Sequence, residues 1–183
     1  MDLRERLRRI LKERSYEEGD FLLSSGKRSN FYIDAKQTTL TPEGAYLCGK
    51  LFYQMIKNAN EKIEAIGGPT LGADPIVIAV SLISYLEGDP IYAFIIRKEP
   101  KKHGKGLWIE GDKALREGMR VAIVEDVVTT GATLLKAIEL CESFSLQVSM
   151  VMALIDREEG ARELLKEKGY ELQSLFKRSE LVG

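Results

Sequence analysis

Two groups of residues in this chain could do chemistry. The first is Glu125-Asp126-Val127-Val128-Thr129-Thr130-Gly131-Ala132-Thr133. Adjacent carboxylates end an apolar run, and small hydroxyl residues with one glycine open the next segment. Unpaired N–H groups at a helix start carry partial positive charge, and a glycine lets the chain approach an anion, so the threonine-rich turn has the chemistry of a phosphate site. The carboxylates cannot face that phosphate; they suit vicinal sugar hydroxyls, which donate hydrogen bonds to an anion. Taken alone, the same turn also reads as a capped helix, with Asp126 or Thr129 as the cap. The second group is Arg97-Lys98-Glu99-Pro100-Lys101-Lys102-His103-Gly104-Lys105-Gly106, where five of ten residues are Lys or Arg. Its charge could neutralise a strongly anionic ligand. A solvated basic hairpin tip or a nucleic-acid contact has the same charge.

The rest of the composition narrows the choices. Over 183 residues, Lys and Arg number 27 and Asp and Glu 28, for a net charge of −1. This excludes a broadly basic nucleic-acid coat, so any strong field is local. Cys48 and Cys141 form neither a CxxC pair nor a zinc spacing. His103 is the single histidine, which removes most histidine-based metal sites and most Ser-His-Asp hydrolases. No G-x-x-x-x-G-K-[ST] and no G-x-G-x-x-G occurs, against a P-loop kinase or a dinucleotide dehydrogenase. The charged first segment is not a secretory signal. The apolar stretch at 75–86 is too short to span a bilayer. These features read as a reducing, cytoplasmic protein without membrane or nucleic-acid partners.

The elements that must position the two groups follow from periodicity. Leu3, Leu7, Ile10 and Leu11 mark an amphipathic helix over 2–14. Residues 21–36 read as two short strands around Ser25-Gly26-Lys27, with Phe21, Leu23, Phe31 and Ile33 packing inward. Thr41 and Pro42 cap a helix over 41–59. Then strands at 63–68, 90–97, 120–126, 147–156 and 170–176 alternate with a buried helix ended by Gly88, a helix after Gly131 and a short helix after Gly160. Residues 98–112 read as a loop. The alternation predicts one α/β domain over 1–183, a mostly parallel central sheet flanked by helices, with residues 1–40 including a small hood. Ligands of such sheets bind beyond the carboxyl ends of the strands, so the residues just after 66, 96, 125 and 155 matter most.

VAIVEDVVTTGAT resembles the phosphoribosyl-diphosphate motif of the type I phosphoribosyltransferases. The likeness runs from about residue 15 nearly to the end, and implies the fold of that family. It implies that Glu125 and Asp126 hold ribose hydroxyls while Val127, Val128, Thr129, Thr130, Gly131, Ala132 and Thr133 line the phosphoribosyl diphosphate site. R-K-x-x-K-x-H-G resembles the catalytic loop of the orotate-specific branch, which implies that Arg97, Lys98, Lys101 and His103 bind the diphosphate. Arg97, Lys101, His103 and Asp126 are thereby the catalytic candidates. Gly67-Gly68-Pro69-Thr70-Leu71-Gly72-Ala73-Asp74 is similar to the family's diphosphate loop, with Leu71-Gly72 where many orotate enzymes carry Tyr-Lys. Arg157 and Thr129 match the family's orotate contacts. The hood string FLLSSGKRSNFYIDAK has Ser24 where some members have Lys. The resemblance further implies magnesium (Mg2+) carried by the substrate, with no direct protein ligand, and a homodimer sharing the basic loop between subunits. The implied activity is phosphoribosyl transfer to orotate, in pyrimidine biosynthesis. The alternatives are transfer to another base, or a non-catalytic regulator that senses the sugar donor.

Overall fold

The computed structural model describes residues 2–22, 28–100 and 108–182. Helix α1 (Leu3–Arg14) leads into an antiparallel ribbon of β1 (Tyr16–Leu22) and β2 (Arg28–Ile33). A short helix α2 (Lys36–Thr39) and the longer α3 (Pro42–Lys57) follow. The start of α3 obeys its local chemistry: the Thr41 hydroxyl accepts from the Gly44 N–H at 3.0 Å, and Pro42 occupies the first turn, where its missing N–H costs nothing.

The main sheet has six strands in the order β5-β4-β3-β6-β7-β8. These are β3 (Ala65–Pro69), β4 (Tyr92–Ile96), β5 (Ile109–Glu110), β6 (Arg120–Val128), β7 (Gln147–Asp156) and β8 (Leu172–Lys177). All neighbours run parallel except β5, which returns antiparallel along β4. Helices α4 (Asp74–Leu86), α5 (Ala132–Ser143) and α6 (Ala161–Glu167) make the crossovers.

Side-chain alternation along the strands splits the core into two layers. On β6, Ala122 and Val124 join one cluster with Leu7, Leu47 and Ile76 from α1, α3 and α4. Val121 and Ile123 join the other with Leu134, Ile138 and Leu165 from α5 and α6. Burial on both faces explains why VAIV is a continuous apolar run.

Three expectations need correction. Residues 98–112 are not all loop: Ile109–Glu110 forms the edge strand β5, and a 3-10 turn spans Asp112–Ala114. A strand this short leaves no periodic signal. Helix α4 is not buried all round, since Ile78, Leu82, Tyr85 and Leu86 are exposed at 56%, 58%, 72% and 70%. A helix apolar on every face does not tell which face its own core covers. In the hood, Phe31 and Ile33 are buried, but Phe21 is only partly so and lies 5.6 Å from the Tyr32 ring; Leu23 lies outside the described residues.

The chain runs from β3 outward to β4 and β5, then back to β6 on the other side of β3. The crevice at that reversal lies between the carboxyl ends of β3 and β6. Phe94 on β4 pairs in register with Gly67 and is 1% exposed, so its ring fills the space that the glycine leaves. Phe94→Ala should lower unfolding free energy in urea by about 3–5 kcal/mol, as for other buried aromatic truncations. A loss well under 1 kcal/mol would contradict this packing.

Candidate active site

Strand β6 runs through Val128, so Val127 and Val128 belong to the strand and the turn begins at Thr129. Glu125 and Asp126 therefore sit on a strand near its carboxyl end, in a fixed extended backbone. Both carboxyls are pushed up from their ordinary values. Burial, then the neighbouring Asp126, raises Glu125 to about 8. Burial also raises Asp126, opposed by the Val127 N–H, which donates to its Oδ1 at 2.9 Å, and by the charge of Lys36.

The turn after β6 enters α5 through Gly131, at φ 83°. Neither Asp126 nor Thr129 caps the helix: the cap position is Gly131, and no side chain accepts a hydrogen bond there. Asp126 cannot do so because it still lies within the strand. The N–H groups of the first turn of α5 are left for another acceptor, the arrangement an anion needs. Ala132 and Thr133 are exposed at that helix start, while Thr129 is partly covered and Thr130 exposed. A β-carbon on Gly131 would lie 3.2–3.4 Å from Ala161, so the turn is seated on the start of α6.

The loop after β3 closes over the acidic pair. A β-carbon on Gly72 would lie 2.1 Å from Asp126 Oδ1, and one on Gly68 would lie 2.0 Å from the Val124 carbonyl oxygen. At Gly68, where the atom met is backbone, only glycine permits this approach; at Gly72 a larger residue would have to displace the Asp126 carboxylate. Thr70 anchors the loop: its N–H donates to the Ile96 carbonyl at 2.9 Å and its hydroxyl to Asp74 Oδ2 at 2.8 Å.

On the other side, the Arg157 N–H donates to the Val128 carbonyl at 2.9 Å, which fixes Arg157 beside the start of the turn. Its guanidinium is nearly buried, pairs with Glu159 at 2.8 Å and lies 4.6 Å over the Phe31 ring of the hood. Arg178 approaches the same ring at 5.1 Å. Arg97 leaves β4 with its N–H donating to the Trp108 carbonyl at 2.9 Å and its guanidinium on Glu110 at 2.8 Å; Lys98 is exposed. Lys101 and His103 lie outside the described residues.

The structure thus gathers Glu125, Asp126, the 129–133 turn and Arg157 at the ends of adjacent strands, with Arg97 at the end of β4. A domain model of the phosphoribosyl transferase family matches residues 35–175. The chain belongs to that family. It is 50% identical over 182 residues to the orotate phosphoribosyltransferase of Aquifex aeolicus, covering 98% of this chain and 97% of that one. It is 44% identical to the orotate phosphoribosyltransferase of Synechocystis, covering 95% and 86%. Among solved structures, it resembles the Mycobacterium tuberculosis orotate phosphoribosyltransferase in complex with 5-phospho-α-D-ribosyl 1-diphosphate, at 30% identity and TM-score 0.80, covering 98% and 99% of the two chains.

Sequence reasoning missed several neighbours of this phosphoribosyltransferase site. Lys36 Nζ pairs with Asp34 at 2.6 Å and its charge acts on Asp126. The Gly72–Asp126 contact, the Glu159 partner of Arg157 and the approach of Arg178 were equally hidden. No short-range pattern marks them, because each joins segments distant in sequence or differs in no way from a surface ion pair. Among the described residues, no group of three or more His, Cys, Asp or Glu could hold a metal ion. No helix among them is long and apolar enough to cross a membrane. Cys48 and Cys141 are buried, and burial pushes both thiols up to about 12, so neither serves as a nucleophile near neutral pH.

The raised Glu125 has a thermodynamic signature. An acid whose folded pKa of about 8 exceeds its ordinary 4.5 binds its proton more tightly when folded, so stability falls as pH rises between those values. Glu125→Gln removes this loss. Its melting advantage over the native chain should be smallest near pH 5 and grow toward pH 8, by at least about 1 kcal/mol at roughly 1.4 kcal/mol per unit. A gap that stays constant with pH would show that Glu125 is not perturbed.

Proposed function

We propose that the chain transfers the 5-phosphoribosyl group from 5-phospho-α-D-ribose 1-diphosphate to N1 of orotate, giving orotidine 5′-phosphate and diphosphate in pyrimidine biosynthesis. The observation that carries this is the acidic pair leading directly into an uncapped helix start, with Arg157 tied to the same strand end. The two ends of a sugar phosphate need just these opposite environments. The family match and the near full-length relatives named orotate phosphoribosyltransferase support it.

Each residue then has a task. Glu125 and Asp126 accept from the ribose hydroxyls, and the turn of Thr129, Thr130, Gly131, Ala132 and Thr133 donates to the 5-phosphate. Val127 and Val128 hold these two groups at a set spacing along one strand. Arg157 and Thr129 receive orotate. A planar guanidinium grips a carboxylate with two parallel hydrogen bonds, and Arg157 already holds the Glu159 carboxylate through Nε and a terminal nitrogen. Arg97, Lys98, Lys101 and His103 face the departing diphosphate.

The reaction breaks the bond from C1 to the diphosphate oxygen, and the electron pair leaves with the diphosphate. Orotate N1 forms the new bond to C1, and the N1 proton passes to the departing diphosphate. The sugar passes through an oxocarbenium-like state, so the protein contributes charge stabilisation and exclusion of water; no covalent nucleophile is required. Lys101 and His103 supply cations or donors to the leaving oxygens. Two half-buried carboxyls held above their ordinary values resist ionisation in the free protein, and a magnesium ion brought on substrate oxygens would favour their charged forms. Such an ion would neutralise the diphosphate, with Glu125 and Asp126 reaching it through the ribose hydroxyls.

The same reading makes the chain one cytoplasmic domain acting as a homodimer. Leu40, Tyr46, Ile78, Leu82 and Leu86 line an apolar groove of about 800 Å3 between α3 and α4, and Lys36 and Leu71 stand at its end nearest the site. Exposed apolar surface of this extent marks an interaction face, and this reading assigns it to a second copy of the chain.

Mixing the protein with orotate, the sugar diphosphate and magnesium should deplete the ultraviolet absorbance of orotate, while uracil, adenine and hypoxanthine remain unchanged. Arg157→Ala should raise the KM for orotate by tenfold or more, about the worth of a charged hydrogen bond. Turnover of another base, or an unchanged KM, would refute the acceptor assignment. The Ile78→Asp, Leu82→Asp double variant should sediment as a 20.6 kDa monomer with reduced turnover, where the native chain sediments at twice that mass. A native monomer with full turnover would refute the shared site.

A further inference from the structure

The loop from Pro69 to Asp74 approaches the acidic pair with no basic side chain of its own. At position 72 the loop carries glycine, and its Cα lies so close to Asp126 that a β-carbon there would displace the carboxylate. A diphosphate bound near the β3 loop also lies near the Asp126 carboxylate that the loop touches, and a fixed cation there would add to those of the basic segment. Among the described residues, Lys36 is the cation whose charge acts on Asp126.

Lys36 opens α2, immediately after the hood, and lines the same groove as Leu71 and Asp74 of the β3 loop. Its ammonium ion is 2.6 Å from Asp34, and its side chain is 40% exposed against 18% for Asp34. The ion is therefore held by a better-covered carboxylate while remaining partly open to solvent. An ammonium has three donors, and one carboxylate does not exhaust them. Asp74 Oδ1, in the same groove, is buried with no hydrogen-bond partner among the described residues, so the surroundings favour a cation there.

We propose that Lys36 is a further substrate-positioning residue, its ammonium ion binding a diphosphate oxygen of the phosphoribosyl donor and standing in for the cation that the β3 loop lacks. This rests on the reading of the site as one for phosphoribosyl diphosphate. Asp34 holds the lysine in place before the donor arrives. When the donor binds, its diphosphate replaces solvent around the ammonium, and the cation separates the diphosphate from Asp126.

The test compares the native chain with K36A, K36R and D34N. Affinity for inorganic diphosphate with magnesium is measured by calorimetry, and steady-state constants are measured for both substrates. K36A should weaken diphosphate binding and raise the KM of the sugar donor about tenfold or more, the worth of one charge-assisted hydrogen bond. The KM for orotate should stay within about twofold, and K36R should restore diphosphate affinity to within about threefold. If K36A does not fold, K36Q is read by the same criteria. Native diphosphate affinity in K36A would overturn the proposal. D34N, which keeps the ammonium but loosens it, should give a smaller loss, and a K36A loss that falls equally on the KM for orotate would overturn the proposal by assigning the effect to the fold. A native chain that neither binds magnesium diphosphate nor consumes orotate would overturn the reading of the site itself, and Lys36 with it; the two failures are separated by the native control.

Discussion

Two carboxyls side by side at the covered end of a parallel strand are the constraint on which this molecule turns. Partly withdrawn from water, both resist ionisation, and the charge of Asp126 adds to that effect at Glu125. The fold tolerates them because β6 is the central strand of the parallel sheet, with β3 and β7 bonded along its flanks and apolar layers packed on both faces. The cost is placed where a ligand can relieve it. On the proposed reading, hydroxyl groups of the sugar, or a cation carried on substrate oxygens, would supply what the free protein withholds.

The surrounding elements are arranged around that strain. Glycines at 68 and 72 let the β3 loop lie on the Val124 carbonyl and on Asp126 itself. The positive φ of Gly131 turns the chain from strand to helix within a few residues, so that negative side chains and unpaired N–H groups stand one after the other. Their opposite preferences select a molecule that is hydroxylated in one part and anionic in the next. Arg157 adds a third requirement. Its guanidinium is packed on Phe31 and aligned by Glu159, so its plane is set before any acceptor arrives.

The hood links this site to the surface that a second copy would cover. β2 delivers Phe31 beneath Arg157, and a few residues later Asp34 and Lys36 reach the edge of the acidic pair and the rim of the apolar groove.

Local chemistry alone determined a good deal. Four apolar residues before two acids placed β6, a threonine before a proline started α3, and the alternation of strands with helices set the parallel sheet and the end at which ligands bind. These are short-range signals, written in side-chain periodicity and backbone preference within a few residues. The position of Arg157 after its strand was legible for the same reason. What only the tertiary structure decided are contacts between distant segments: Gly72 on Asp126, Lys36 beside the acidic pair, Phe31 beneath Arg157 and the uncovered face of α4. A glycine reads alike whether it makes room for solvent or for a carboxylate, and a helix apolar on all sides reads alike whether its cover is its own core or another chain. The difference lies in what the fold brings opposite them.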